Sequence, residues 1–315
     1  MNVENPQRLA VRLGIVALSL LATGCSGGTG SPLTANSNAV PAQAQTASTA
    51  AHSNQKLYIS TVDGGSVVVY SAGSNPTLLQ TITDGVPRPG GVWVDKRGVL
   101  YVVNVPDQSY QTSLPEYKAD ATTPFRTIMQ GIVNCGTVGV DNKENVYVTG
   151  INPANASFFL EIYPKGSLSP SETLTIPHTG LGDPSGLAFD SSGALLVGES
   201  LFGRVSVVYR LPAGSQTFTN LGLHKAPGGA IALDSAGNLY VGGSNSIAVY
   251  PPKSRTPART IRVQDGVSAL TVARDGELYV GTFGRVSEYA PGAKTPTTSF
   301  SVPGHVGGLA LSPQR

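Results

Sequence analysis

Two side chains in the sequence could form a nucleophile and its base: the thiol of Cys135 and the imidazole of His178. A thiol becomes reactive when a hydrogen-bonded histidine or a nearby positive charge stabilises its thiolate. A lone cysteine is more often a buried, small apolar side chain. We therefore predict no catalytic residue, and whether Cys135 and His178 touch depends on the fold.

Acidic side chains at Asp183 and Glu199 are candidates for a cation site. A hard cation needs six or more oxygen ligands, several of them carboxylates, so two acids are few. The sequence also contains no Gly-x-Ser-x-Gly elbow, no Cys-x-x-Cys pair and no glycine-rich phosphate loop. We predict neither a metal nor a cofactor.

The elements that must position these residues follow from an internal repeat. Six segments share one pattern, a turn that begins with Asp and ends in Gly, followed by Leu-Tyr-Val or an equivalent. The turns are 39 to 49 residues apart, and those of five copies begin at Asp95, Asp141, Asp190, Asp234 and Ala273. The sixth copy is split between Lys56–Ile59 and Leu309–Ser312. A period of about 40–50 residues with short strands is typical of a β-propeller.

Each repeat reads as four short strands, and the third strand ends in a tyrosine, at Tyr70, Tyr117, Tyr163, Tyr209, Tyr250 and Tyr289. A residue fixed in every repeat is expected to pack between repeats rather than to stack on a sugar. We predict an all-β fold for residues 56–315, a six-bladed β-propeller with four antiparallel strands per blade. The strand around Gly308–Leu311 should pair with Leu57–Ile59 and close the ring, which removes two sheet edges.

With its Gly-Leu-Ala-x-Asp-x-x-Gly-x-Leu-Tyr-Val pattern, the repeat region resembles NHL-repeat propellers and, more loosely, the gluconolactonase and regucalcin-like propellers. The latter resemblance implies a divalent cation held by Glu, Asn and Asp side chains, largely just before the glycine that opens each innermost strand. Here that position holds Gly90, Gly136, Ser185, Gly229, Ser268 and Gly307. None of these carries a carboxylate, so the metal site of that family is not expected.

Positions that do not repeat are better candidates for a binding site, because a ligand without the symmetry of the ring requires side chains that differ between blades. At one mouth of the predicted channel these are Arg88, Asn104, Asn134, Asp183, Glu199 and His305. They combine a cation, two carboxylates, two amides and an imidazole, which can orient a polar ligand by hydrogen bonds. Glycines and serines deeper in the ring are expected to leave room for that ligand.

The N-terminal residues predict export. Arg8 and Arg12 precede the apolar run Leu13–Leu21, which is too short to span a bilayer of about 30 Å. The following Ala22–Cys25 resembles the lipobox of bacterial lipoproteins, which implies cleavage after residue 24 and lipidation of Cys25. Residues 25–55 are poor in large apolar and charged side chains and are predicted to form a disordered tether. Ser26 at the next position implies the outer membrane.

Charged residues make up only 13% of the chain and the formal net charge is +2. This composition argues against nucleic acid as a partner. We expect a monomer, anchored to the membrane through Cys25, that binds a small molecule, a glycan or a protein at the channel mouth. The alternative is a hydrolase or lyase of the lactonase or antibiotic-lyase type acting at the same mouth.

Overall fold

The computed structural model describes residues 55–105, 112–177, 182–201 and 206–313. The predicted signal peptide, Cys25, the tether up to residue 54, and His178 lie outside these ranges. Within them, no helix is long and apolar enough to cross a membrane.

All regular structure in the described residues is β-strand. The chain begins with β1 (Lys56–Thr61), β2 (Ser66–Ser71), β3 (Leu78–Ile82), β4 (Pro89–Val94), β5 (Leu100–Asn104), β6 (Leu114–Tyr117) and β7 (Arg126–Ile128). It continues with β8 (Cys135–Val140), β9 (Val146–Ile151), β10 (Phe158–Tyr163), β11 (Glu172–Ile176), β12 (Gly182–Phe189), β13 (Leu195–Leu201), β14 (Val207–Leu211) and β15 (Thr219–Asn220). It ends with β16 (Ala230–Leu233), β17 (Leu239–Gly242), β18 (Ser246–Tyr250), β19 (Arg259–Arg262), β20 (Ala269–Val272), β21 (Leu278–Tyr289) and β22 (Thr298–Leu311).

These strands form five hydrogen-bonded sheets, which corrects the prediction of six blades. Four sheets have four antiparallel strands each: β4–β7, β8–β11, β12–β15 and β16–β19. The fifth has six strands in the order β20-β21-β22-β1-β2-β3. The first and last repeats share this sheet because β22 is one long strand that pairs on both sides. The all-β propeller is confirmed, with five blades by strand pairing.

The strand β22 pairs with a different strand over each of its two parts. Its first part pairs with β21, with Phe300 opposite Val286. Its second part pairs with β1, with Leu309 opposite Ile59 and Leu311 opposite Leu57. The predicted partners at the two chain ends are therefore joined, but hydrogen bonds do not run around the whole ring, because neighbouring sheets meet by packing.

Packing closes the ring through the innermost strands. In order around the channel, β4, β8, β12, β16, β20 and β22 each contact the next, and β22 contacts β4. Glycines permit this close approach. A Cβ on Gly91 would lie 2.7 Å from the carbonyl oxygen of Gly136, and a Cβ on Gly229 would lie 2.6 Å from the backbone nitrogen of Ser200. Of the glycines expected to leave room for a ligand, Gly229 and Gly307 instead bring neighbouring strands together, whereas a Cβ on Gly136 would meet nothing within 4 Å.

Most of the recurring tyrosines are buried between sheets, as predicted. Tyr117 and Tyr163 are fully buried, and Tyr250 is 1% exposed. The hydroxyl of Tyr163 donates to the carbonyl oxygen of Gln130 at 2.8 Å, in the loop that leaves the preceding sheet. Tyr250 donates in the same way to His224. Each such tyrosine therefore fills space and satisfies a loop carbonyl of the neighbouring sheet.

The turn aspartates shape the hairpin between the first two strands of a repeat. In Asp95, Oδ1 accepts hydrogen bonds from the backbone nitrogens of Arg97 and Val99 at 2.8 and 2.9 Å. Asp141, Asp190 and Asp234 accept the equivalent pairs of backbone N–H groups. This use of an aspartate side chain within its own turn explains its recurrence.

Candidate functional site

Strand pairing explains why the six residues predicted to bind a ligand at the channel mouth belong to one end of the sheets. The start of each innermost strand lies opposite the end of the second strand, as in the pairs Pro89–Asn104, Cys135–Gly150 and Asp183–Ser200. Residues that enter innermost strands and residues that leave second strands therefore share this end. We call it the rim.

Arg88 and Asp183 are exposed at the rim. Partial desolvation raises the pKa of the Asp183 carboxyl above its ordinary value. Asn134 is half-buried and has a backbone φ of 50°, in the left-handed region that asparagine tolerates better than most residues. Its carbonyl oxygen accepts a hydrogen bond from the backbone nitrogen of Ile151 at 3.2 Å.

Asn104 supports the rim from within. It is 4% exposed. Its Nδ2 donates to the carbonyl oxygen of Gly85 at 2.7 Å and to Ser113 Oγ at 2.8 Å. The side chain therefore ties the loop after β3 to the segment before β6, which is a structural task.

Glu199 is also inside the protein, and its side chain is fully buried on β13. The hydroxyl of Tyr209, on the neighbouring strand β14, lies beside its carboxylate. Burial, followed by the charge and hydrogen bonding of Glu199, raises the pKa of Tyr209 to about 12. The carboxylate of Glu199, a ligand-binding candidate of the sequence analysis, is therefore not exposed at the rim.

His305 is exposed at the rim and forms the best-defined feature there. Its ring stacks on that of Phe283, with 6.0 Å between centroids and 27° between planes. Phe283 is 73% exposed. The backbone nitrogen of His305 donates to Asp63 Oδ2 at 3.3 Å, and Asp63 is itself exposed. A hydrophobic and a polar ring thus lie side by side in solvent, next to a carboxylate.

Sequence reasoning missed Phe283 and Asp63. Asp63 lies in the connection between β1 and β2, whereas Phe283 lies within β21, where the pairing of this strand changes from β20 to β22. A large aromatic residue directly before Gly284, at the point where the repeat pattern leaves its second strand, was the available signal.

Cys135 is structural. Its side chain is 1% exposed, and Sγ donates to the carbonyl oxygen of Val133 at 3.4 Å. Burial raises the pKa of its thiol well above the ordinary value, so the reactive thiolate is disfavoured. The described residues also contain no cluster of three His, Cys, Asp or Glu side chains suited to a metal ion.

A cavity of about 320 Å³ lies in the channel. Its wall comes from all six innermost strands, and it also includes Gln55 and Pro313, near the two ends of the described chain. None of the six predicted rim residues lines it. The rim and the channel cavity are therefore separate candidate sites.

Comparisons with known proteins agree on the fold. No protein-family model matches the sequence, and no curated protein matches it significantly. Among solved structures, a protein of unknown function from Bacteroides caccae matches with a TM-score of 0.62 and 11% identity, over 82% of this chain and 98% of that one. Hydrazine synthase of Kuenenia stuttgartiensis matches with a TM-score of 0.58 and 13% identity, over 75% and 80%. A functionally unknown protein from Desulfotomaculum acetoxidans matches with a TM-score of 0.53 and 16% identity, over 79% and 80%. At these identities the similarity concerns the fold alone.

Proposed function

We propose that this protein is a binding propeller of the bacterial envelope that takes a polar ligand, such as a glycan, at its rim. The observation that carries the proposal is the exposed Phe283–His305 ring pair beside Asp63. Exposed aromatic rings next to hydrogen-bonding groups offer one apolar face and several polar contacts to a ligand. Arg88 and Asp183 add opposite charges at the same end.

The setting of this rim is part of the proposal. A lipidated Cys25 and the tether of residues 25–55 would hold the propeller at the outer membrane, where envelope glycans are accessible. The Asp…Gly turns and the Leu-Tyr-Val strands support an NHL-like relationship. The protein acts as a monomer that binds without chemical turnover.

The test is a binding screen of the purified chain against peptidoglycan and lipopolysaccharide oligosaccharides and small lactones. For a ligand found in this way, Phe283→Ala and His305→Ala should weaken binding by about tenfold, the equivalent of about 1.4 kcal/mol. Phe125→Ala is the matched control, because Phe125 is also exposed but directly precedes β7, an outer strand of its sheet. Unchanged affinity in both rim variants would contradict the proposal, and turnover of a lactone would favour the hydrolase alternative.

A further inference from the structure

The channel cavity has features that the rim does not explain. Its wall follows the innermost strands from the level of Gly91 and Gly307 to their far ends at Trp93, Phe189 and Ser312. Because these strands start at the rim, the cavity extends toward the opposite face. Its volume of about 320 Å³ lies at the lower end of the range of about 300–1,000 Å³ typical of small-molecule sites.

One part of the cavity wall is a fixed aromatic cluster. Trp93 packs edge-to-face on Phe189 with 5.9 Å between ring centroids, and Phe189 packs in the same way on Tyr147 at 5.2 Å. A Cβ on Gly139 would lie 3.2 Å from the Phe189 ring, so a larger residue at that position would have to displace the ring slightly. Aliphatic side chains continue the wall, among them Leu187, Ile231, Leu270 and Leu309. An apolar ring of a ligand would find a matching surface here.

In each of two polar side chains of the wall, one atom has no hydrogen-bond partner among the described residues. Gln55 is 7% exposed, and its Nε2 donates to the carbonyl oxygen of Ser312 at 2.8 Å. Its Oε1 is buried and accepts no hydrogen bond from the described residues, and Ser185 Oγ is also unpaired within them. A buried acceptor without a donor is unfavourable, because folding removes its hydrogen bonds to water without replacing them. An N–H or O–H group in the cavity would supply the missing donor.

The wall also has a cationic end. Among the described residues that line the cavity, Arg274 is the one charged side chain, and it is exposed. It follows β20 at the same end of the channel at which Ser312 follows β22. The described cavity wall contains no carboxylate, so on the cavity side the guanidinium is open to a ligand anion; Asp234 and Asp275 line an adjacent pocket together with Arg274.

We propose that the channel cavity is a second binding site, for a small organic acid that carries an apolar ring and at least one N–H or O–H donor. The ring packs on Trp93 and its aliphatic neighbours, the donor reaches Gln55 Oε1, and the acid group pairs with Arg274. This site is independent of the rim and of the ligand proposed for it.

The fluorescence of Trp93 provides a direct readout, because Trp93 is the only tryptophan of the chain and lies in the cavity wall. The probe is 4-hydroxyphenylacetate. Its matched controls are 4-methoxyphenylacetate, which lacks the donor, and 4-hydroxyphenylacetamide, which lacks the charge. We expect the probe to change the Trp93 emission saturably and each control compound to bind about fivefold more weakly, as for the loss of one hydrogen bond.

Substitutions in the cavity wall test which residue makes each proposed contact with the probe. Arg274→Gln should weaken binding of the acid about fivefold but leave the amide unchanged, and Gln55→Met should remove the preference for the hydroxyl over the methoxy compound. Arg262→Gln, at an exposed position on β19 outside the cavity wall, should bind like the wild type. Absence of binding at about 5 mM of the probe, equal affinity for the three compounds, or no effect of Arg274→Gln would each overturn the proposal. The Phe283→Ala variant should bind the probe normally, so failure of the rim proposal remains distinguishable.

Discussion

The last repeat makes a tyrosine–carboxylate hydrogen bond that recurs in other repeats, but the carboxylate comes from a different position. In three repeats the tyrosine of the second strand donates to the turn aspartate, in the pairs Tyr101–Asp95, Tyr147–Asp141 and Tyr240–Asp234. In the last repeat that turn position is Ala273, and Tyr279 donates to Glu277 Oε2 at 2.8 Å. The carboxyl of Glu277 also hydrogen-bonds that of Glu288, which is 1% exposed. Two carboxyls are thereby held together inside the protein.

This pair predicts a pH-dependent stability. Burial first, and then the hydrogen bond and charge of Glu277 with a contribution from Asp275, raise the pKa of Glu288 to about 8. An unfolded glutamate titrates near about 4.3. Between these values the folded state retains a proton that the unfolded state has lost, so the free energy of unfolding should fall as pH rises.

Urea unfolding at pH 5 and pH 8 measures this effect. Glu288→Gln, which stays neutral, should reduce the fall seen in the wild type. Glu172→Gln, at a half-buried position on β11, is the control and should keep the wild-type difference. The same pH dependence in wild type and Glu288→Gln would show that Glu288 ionises normally in the folded state.

Tyr163 tests the packing role of the recurring tyrosines. It is fully buried, so Tyr163→Ala should lower the free energy of unfolding by about 3–5 kcal/mol. Tyr163→Phe removes only the hydrogen bond to Gln130 and should cost about 1 kcal/mol. Denaturant titration compares the two variants. A stable alanine variant that loses ligand binding would place a binding site between the sheets instead.

At the scale of elements, β22 determines how the repeats are grouped into sheets. Six copies of the repeat predict six blades, yet the first and last copies join in one six-stranded sheet. The reason is that the fourth strand of the last repeat continues, without a break in strand structure, into the segment that pairs with β1. The region around Gly304, whose φ is 71°, therefore connects two pairings that the sequence pattern treats as separate.

Deleting residues 306–315 tests the importance of this element. The deletion removes the partner of β1 and one of the six innermost strands, so it leaves an open edge and an incomplete ring. We expect global loss of the folded state or aggregation, measured by circular dichroism and size-exclusion chromatography. A shorter deletion of residues 313–315 keeps Ser312 and its bonds to Gln55 and Lys56, and it should melt like the wild type. Equal melting temperatures for the two deletions would contradict the role given to β22.

At the scale of the whole molecule, the ring separates two kinds of surface. The rim carries exposed rings and charges that differ from repeat to repeat, whereas the cavity is lined by backbone, apolar side chains and a few polar side chains of all six innermost strands. Close contact between glycines of neighbouring strands lies between the two. A ligand at the rim and a ligand in the cavity would therefore be bound by different residues.

Membrane attachment through a lipidated Cys25 is a prediction from the sequence. In a bacterial host, Cys25→Ser should move the protein from the membrane fraction to the soluble periplasmic fraction, because the substituted residue cannot be lipidated. Cys135→Ala removes the other cysteine and should leave the protein in the membrane fraction. A wild-type protein that is already soluble and starts at a residue other than Cys25 would contradict the lipoprotein prediction.

The sequence by itself determined the repeat, the strand class, the turn chemistry and the pairing of the two chain ends. These features depend on local patterns, such as the Asp95 turn, and on a tyrosine position that recurs in each repeat. Only the tertiary structure decided the burial of Glu199 and Asn104, the exposure of Phe283 beside His305, and the joining of six repeats into five sheets. Each of these depends on which strands lie next to each other and how closely they approach, as at Gly91 and Gly229. The sequence gives the type of each side chain but not its distance from residues of other repeats. That distance decides whether a polar residue is exposed at the rim, where it can bind a ligand, or is buried and supports the structure.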